Sequence, residues 1–231
     1  MKALIDGDIL VYRVAFASQE ETEAIAKARM SAFVDELVTP ADISSIEGYL
    51  TGKGNFRNEI AVTATYKGNR KDVAKPVHYQ FLRDYLEKEW GFLMITGQEA
   101  DDAIGIKAYT MDENDYIIMS IDKDLDMIRG WHYNFVKKEK YFIKEEDTMR
   151  IFYKQVLTGD RTDNIEGLKG IGPVKAERIL KECNTEEEMY QAVLKAYEGN
   201  EERVLENGQL LWIRREENQM WQPPSLSSSN G

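Results

Sequence analysis

Apolar residues fall unevenly along the chain. In the first part they form short dense runs: KALID (2–6), IEGYLT (46–51), FLMIT (92–96) and YIIMSI (116–121). Runs of this length, rich in branched and aromatic residues, predict buried strands. Between them, VHYQFLRDYLEKEW (77–90) carries apolar positions at helical spacing and stops before Gly91, and EADDAIGIKAYT (99–110) reads as a second helix. WHYNFV and KYFI (131–136 and 140–143) predict an edge hairpin. From Glu145 onward the pattern predicts helices only, over 145–158, 173–182, 185–198 and 201–217. Residues 52–75 carry Gly52, Gly54 and Gly68 with mixed charge and little periodicity, which predicts a mobile segment with helical pieces. The closing WQPPSLSSSNG is low in complexity and predicts a disordered tail. No internal repeat is visible.

Strands alternating with helices predict an α/β fold, with a mainly parallel central sheet flanked by helices on both faces. The helical remainder predicts a separate lobe. A length of 231 residues is enough for one such domain with a helical annex. Hydrophobic residues at 42% and charged residues at 31% fit a soluble globular protein. Cys183 is the sole cysteine, which excludes an intramolecular disulfide. His78 and His132 lie far apart in sequence, which argues against a Cys/His zinc site. Asp6, Asp8 and Arg13 break the apolar N-terminal run, so a signal peptide is not expected. No run approaches the ~18 apolar residues of a membrane span, so a cytoplasmic location is expected.

The net charge of −11 at first disfavours a nucleic-acid partner, but its distribution changes that view. Residues 53–75 carry a net charge of +4, whereas residues 182–217 carry −6. Much of the remaining acid is clustered. Asp6 closes the first predicted strand, with Asp8 just beyond. Glu99, Asp101 and Asp102 follow the FLMIT strand, and Asp122, Asp124 and Asp126 follow YIIMSI. In open α/β sheets, ligands bind in the crevice beyond the carboxyl ends of the strands. Asp160 and Asp163 form a fourth pair, at a spacing that brings both to one side of a helical turn. Any one pair is ordinarily a turn former or a helix start. Several together are mutually repulsive unless a hard cation such as Mg²⁺ or Mn²⁺ takes their oxygens. Two such ions ~4 Å apart can hydrolyse a phosphodiester.

Two further segments suit phosphates. GLKGIGP (167–173) leads into the helix VKAERILKE, where Gly170 and Gly172 free backbone amides at a helix start and Lys169 and Lys175 add charge. TYKGNRK (65–71) joins the aromatic Tyr66 to Lys67, Arg70 and Lys71.

Taken together, IDGD (5–8), NFR (55–57), YKGNR (66–70), EADD (99–102), SIDKDLD (120–126) and GDRTDNIEGLKGIGPVKA (159–176) resemble the flap endonuclease / 5′–3′ exonuclease family. The resemblance is to bacteriophage members and to the 5′-nuclease domain of bacterial DNA polymerase I, and it covers roughly residues 1–182. It implies a PIN-like catalytic domain over 1–144 with a helical arch at about 53–75, and a helical lobe over 145–217. The lobe would contain a helix-3-turn-helix at about 151–182, and 218–231 would be a disordered tail. Asp6, Glu99, Asp101 and Asp102 would bind or orient a first metal, and Asp122, Asp124, Asp160 and Asp163 a second. Lys67 and Arg70 would contact the scissile phosphate and Tyr66 would stack near the cleaved nucleotide. Arg57, Lys71, Lys169, Gly170, Gly172 and Lys175 would contact DNA. The implied cofactors are two Mg²⁺ ions, with Mn²⁺ as substitute and K⁺ at the helix-3-turn-helix. The implied substrates are DNA with 5′ flaps, nicked or recessed 5′ ends, and RNA–DNA hybrids. A monomer acting in phage replication or recombination, in the host cytoplasm, is the corresponding expectation.

One position departs from the family pattern. An Asp usually stands at the end of the second strand, where this chain has Thr51 and Gly52. That leaves two other readings: a catalytically weakened protein that binds branched DNA, and, ranked lower, a PIN-type ribonuclease.

Overall fold

The computed structural model describes residues 1–40 and 42–224. They form two compact units. The first comprises residues 1–55, 73–145 and 213–218; the second comprises 56–72, 146–212 and the segment from Gln219.

The first unit is built on a six-stranded sheet. Its strands are β1 (Lys2–Asp6), β2 (Ser45–Thr51), β3 (Leu93–Ile95), β4 (Tyr116–Met119), β5 (Gly130–Asn134) and β6 (Glu139–Ile143). Their spatial order is β3-β2-β1-β4-β5-β6. All neighbours are parallel except the β5/β6 hairpin. The predicted strands, the parallel sheet and the edge hairpin are therefore all present.

Alternation along β1 and β4 shows why both faces must be covered. Ala3, Ile5, Ile117 and Met119 enter one apolar cluster with residues of α1 (Gly7–Ala17), α2 (Glu23–Val38) and α4 (Tyr79–Trp90). Leu4, Tyr116 and Ile118 enter a second cluster with Ala100, Ala103, Ile104 and Ala108 of α5 (Ala100–Tyr109). Period-two strands with both faces apolar can be stable only between two helical layers. The apolar pattern left α1 and α2 unassigned. In α1, GDILVYRVAFA is apolar on most sides and lacks an amphipathic rhythm.

The second unit is mainly helical. It holds the short α3 (Arg57–Ile60), α6 (Glu145–Thr158, apart from its first residue), α7 (Pro173–Leu180), α8 (Glu186–Ala196) and α9 (Glu201–Leu211). A two-stranded ribbon, β7 (Gly159–Asp160) and β8 (Ile165–Glu166), lies between α6 and α7.

Three expectations on domain limits change. Residues 56–72 belong to the second unit rather than to the sheet unit. The last helix ends at Leu211, not at residue 217, and residues 213–218 return to the sheet unit. The tail is not wholly loose: Trp221 is buried, with its ring centroid 5.4 Å from that of Phe152 and 6.2 Å from that of Tyr153. Gly208 on α9 makes room for it, since a Cβ there would collide with the indole. The part of the expected tail from 225 to 231 lies outside the described residues.

Candidate functional site

The sheet order reverses at β1, whose neighbours are β2 on one side and β4 on the other. Such a reversal opens a crevice at the carboxyl ends of the strands. Asp6 stands at the end of β1, and Asp122 follows β4. Asp6 is 3% exposed and also caps α1, accepting a hydrogen bond from the Ile9 amide at 3.2 Å. The Ser120 hydroxyl donates to its other oxygen at 2.8 Å. Burial pushes the Asp6 carboxyl up to about 7, helped by the negative charges of Asp8 and Asp122 and opposed by the two hydrogen bonds.

The other sheet-edge acids are also helix or turn starters. Asp122 accepts from the Asp124 amide at 3.0 Å and opens the 3-10 turn Lys123–Met127. Glu99 caps α5 in a capping box with Asp102. Asp102 is fully buried, and its oxygens accept from the Glu99 and Arg214 amides, each at 3.1 Å. Asp101, Asp122 and Asp124 are half-buried. Among the described residues, no three His, Cys, Asp or Glu side chains are drawn together as a ready-made metal-binding group. The donor set is nonetheless all oxygen, and Asp6 is crowded by like charges. Both features fit a hard divalent cation.

Asp8 has a partner that its sequence context did not reveal. Arg83 of α4, itself buried, pairs with one Asp8 oxygen at 2.5 Å. The other oxygen accepts from the Thr51 amide at 2.9 Å. The same guanidinium donates to the Thr51 carbonyl. The Thr51 hydroxyl accepts from the Ala100 amide at 3.0 Å, at the start of α5. At Gly52 a Cβ would press on the Ile95 carbonyl oxygen. The missing carboxylate at this corner is thus accompanied by tight backbone packing and an Asp8 paired with Arg83. Arg83 had no local signal, because an arginine on an amphipathic helix ordinarily reads as solvated. Nearby on α1, Tyr12 and Phe16 are exposed and stack at 6.2 Å, and Tyr12 lies 5.0 Å from Tyr79.

In the second unit, the YKGNR segment is stitched to the loop after β7. Asp163 accepts from the Tyr66 hydroxyl at 2.8 Å, pairs with Arg70 at 2.9 Å and lies 3.5 Å from the Lys67 ammonium. Asn69 donates to the Arg161 carbonyl at 2.9 Å, and Asn164 to the Thr65 carbonyl at 2.9 Å. Lys67 has the left-handed φ of 51°. Asp160 accepts from the Thr162 amide at 2.7 Å within its own loop.

Two of the residues expected to meet DNA, Arg57 and Tyr66, are buried. Arg57 is 3% exposed, and its guanidinium donates to the carbonyls of Leu210 at 2.8 Å and Trp212 at 2.7 Å, tying α3 to the end of α9. Tyr66 is 5% exposed, with its hydroxyl on Asp163. Lys71, Lys169, Gly170, Gly172 and Lys175 are all exposed. Gly170 has φ 78°, and the Lys175 ammonium reaches its carbonyl at 2.8 Å. Gly172 caps α7, with Pro173 in its first turn.

Residues 1–156 match the 5′-3′ exonuclease, N-terminal resolvase-like domain family. The chain belongs to the 5′–3′ exonuclease family. Among its relatives is a 5′-3′ exonuclease of Mycoplasma genitalium, 30% identical over 220 residues, covering 81% of this chain and 74% of that one. DNA polymerase I of Caldicellulosiruptor bescii is 27% identical over 219 residues, covering 83% of this chain but 25% of the polymerase. This exonuclease-family fold is shared with the T5 D15 protein co-crystallised with metal ions, at TM-score 0.73 and 18% identity, covering 91% and 88% of the two chains. The T5 D15 flap endonuclease in a complex with DNA and metal ions gives a TM-score of 0.70 at 18% identity, covering 91% and 88%. Among the described residues, no helix is long and apolar enough to cross a membrane.

Proposed function

We propose that this exonuclease-family protein is a divalent-metal-dependent, structure-specific 5′-nuclease acting on DNA. The observation that carries the reading is Asp6, a buried carboxylate at the sheet's topological switch point, crowded by Asp8 and Asp122 and bonded to Ser120. Asp6, Glu99, Asp101, Asp122 and Asp124 are the residues proposed to hold Mg²⁺ or Mn²⁺. When bound, such cations activate water and offset the charge of the reacting phosphate.

The protein's own groups prepare that step. Ser120 and the Ile9 amide fix the Asp6 carboxylate, and the α5 cap fixes Glu99. Arg83 pairs with Asp8 and holds it against the Thr51 turn. Lys67 and Arg70, held by Asp163, are proposed to contact the scissile phosphate. The exposed amides and lysines at Gly170, Gly172, Lys169 and Lys175 suit duplex phosphates without reading sequence. Tyr12 and Phe16 offer exposed ring faces on which unpaired bases can stack. Substrates would be 5′ flaps and nicked or recessed 5′ ends.

The test is cleavage of a flap and of a nicked duplex, each labelled at either end, with Mg²⁺, Mn²⁺ or EDTA. Metal-dependent release from the 5′ side is expected. Binding without cleavage in either metal would instead favour the catalytically weakened reading.

A further inference from the structure

The α5 start carries two proposed cation ligands, Glu99 and Asp101, just ahead of Asp102. A segment more than 100 residues away in sequence is built into the same turn. After α9 the chain returns to the sheet unit as a strap outside helix and strand, residues 213–218. Ile213, 4% exposed, joins the apolar cluster formed by Ile104, Ala108, Leu125 and Ile128. The Arg214 amide donates to Asp102, whose second oxygen accepts from Glu99. The Arg214 guanidinium, also buried, donates to Gln98 at 2.9 Å. Arg215 pairs with Glu145 at 3.0 Å and donates to the Met127 carbonyl at 3.2 Å. Gly105 makes this approach possible: a Cβ there would collide with the Arg214 carbonyl oxygen and the Ile213 side chain.

We infer that the strap 213–218 is a working part of the acidic site and that Asp102 is a positioning residue that transmits it, not a cation ligand. Both Asp102 oxygens are already engaged by backbone amides, one from the ligand-bearing turn and one from the strap. Asp102 is fully buried, so a cation could reach it only if the packing around it opened. Freeing the strap would leave a buried carboxylate short of one donor and loosen the cap that orients Glu99. Groups that orient ligands in this way typically change metal affinity by about 10-fold to 100-fold when removed.

The inference rests on the proposed cation site, and the experiment separates the two. Gly105→Ala displaces the strap without altering any carboxylate. Mn²⁺ is titrated calorimetrically into wild type and variant, with folding checked by circular dichroism and amide exchange followed at Glu99 and Arg214. The expected result is wild-type Mn²⁺ binding, a loss of affinity in Gly105→Ala of about tenfold or more, and faster exchange of both amides. Ile213→Ala, which trims the strap's apolar anchor, is the second variant should Gly105→Ala not fold, and the same direction is expected. Equal Mn²⁺ affinity in a folded variant whose two amides exchange faster overturns the role of the strap. Failure of the wild type itself to bind Mn²⁺ overturns the cation site beneath it.

Discussion

Replacing Arg83 with leucine should reveal how much of the sheet edge depends on one buried cation. The guanidinium is 6% exposed and bonds Asp8 at 2.5 Å, while Asp8 keeps 22% of its side-chain surface. Removing one partner of a buried pair costs about 3–5 kcal/mol, because the other charge is left without compensation. Residual hydration of Asp8 places the expected loss near the lower end, about 3 kcal/mol. For a chain of this size that corresponds to a fall in Tm of roughly 6–12 °C. Asp8→Asn keeps an acceptor for the Thr51 amide but removes the orphaned charge. The double variant Asp8→Asn/Arg83→Leu should therefore recover about 2 kcal/mol relative to additivity. Urea and thermal unfolding, followed by circular dichroism and tryptophan fluorescence, measure both quantities. A loss below about 1 kcal/mol for Arg83→Leu, or strict additivity in the cycle, would refute the clamp.

Other outcomes follow from the same geometry. Lys67→Ala should slow single-turnover cleavage by a factor on the order of 10² with little change in DNA affinity, and an unchanged rate removes Lys67 from the reaction. Lys175→Ala should weaken duplex binding and lower the slope of log affinity against log salt by about 1; an unchanged slope would show that the hairpin does not meet a phosphate. His132 is buried, and burial holds its pKa below the ordinary value of 6.5 despite the Ile128 carbonyl and Asp126. The unfolded chain therefore binds more protons below pH 6.5, and stability should fall as pH drops from there towards the depressed folded value. Unfolding in urea at a series of pH values checks this, and His132→Gln should flatten that part of the profile.

Much of the sheet could be read from the sequence because its signals are local. β1 and β4 are dense apolar runs stopped by an Asp, and α4 stops at Gly91, which takes the left-handed φ of 69°. The same Asp residues marked the carboxyl ends of the strands, so the main acidic positions were visible before any geometry. Contacts across long separations were not visible. Arg83 meets Asp8 across 75 residues, and Arg214 meets Asp102 across 112. No local periodicity encodes such partners. The burial of Arg57 and Tyr66 was hidden for a related reason: composition identifies a cation or an aromatic ring, while packing decides how much of it is exposed. Trp221 lay in a stretch whose Pro and Ser content suggests disorder, yet one indole filling the space beside Gly208 is enough to anchor it.

The metal-dependent nuclease reading is tested by comparing wild type with Asp122→Asn on a 5′-labelled flap under single-turnover conditions, with Mg²⁺ or with EDTA. The wild type should cleave in Mg²⁺ and not in EDTA. The variant should bind the flap normally but cleave slower by a factor on the order of 10² or more, as expected from losing several kcal/mol of charge stabilisation. Wild-type cleavage that persists in EDTA, or turnover by Asp122→Asn at the wild-type rate, would contradict that reading.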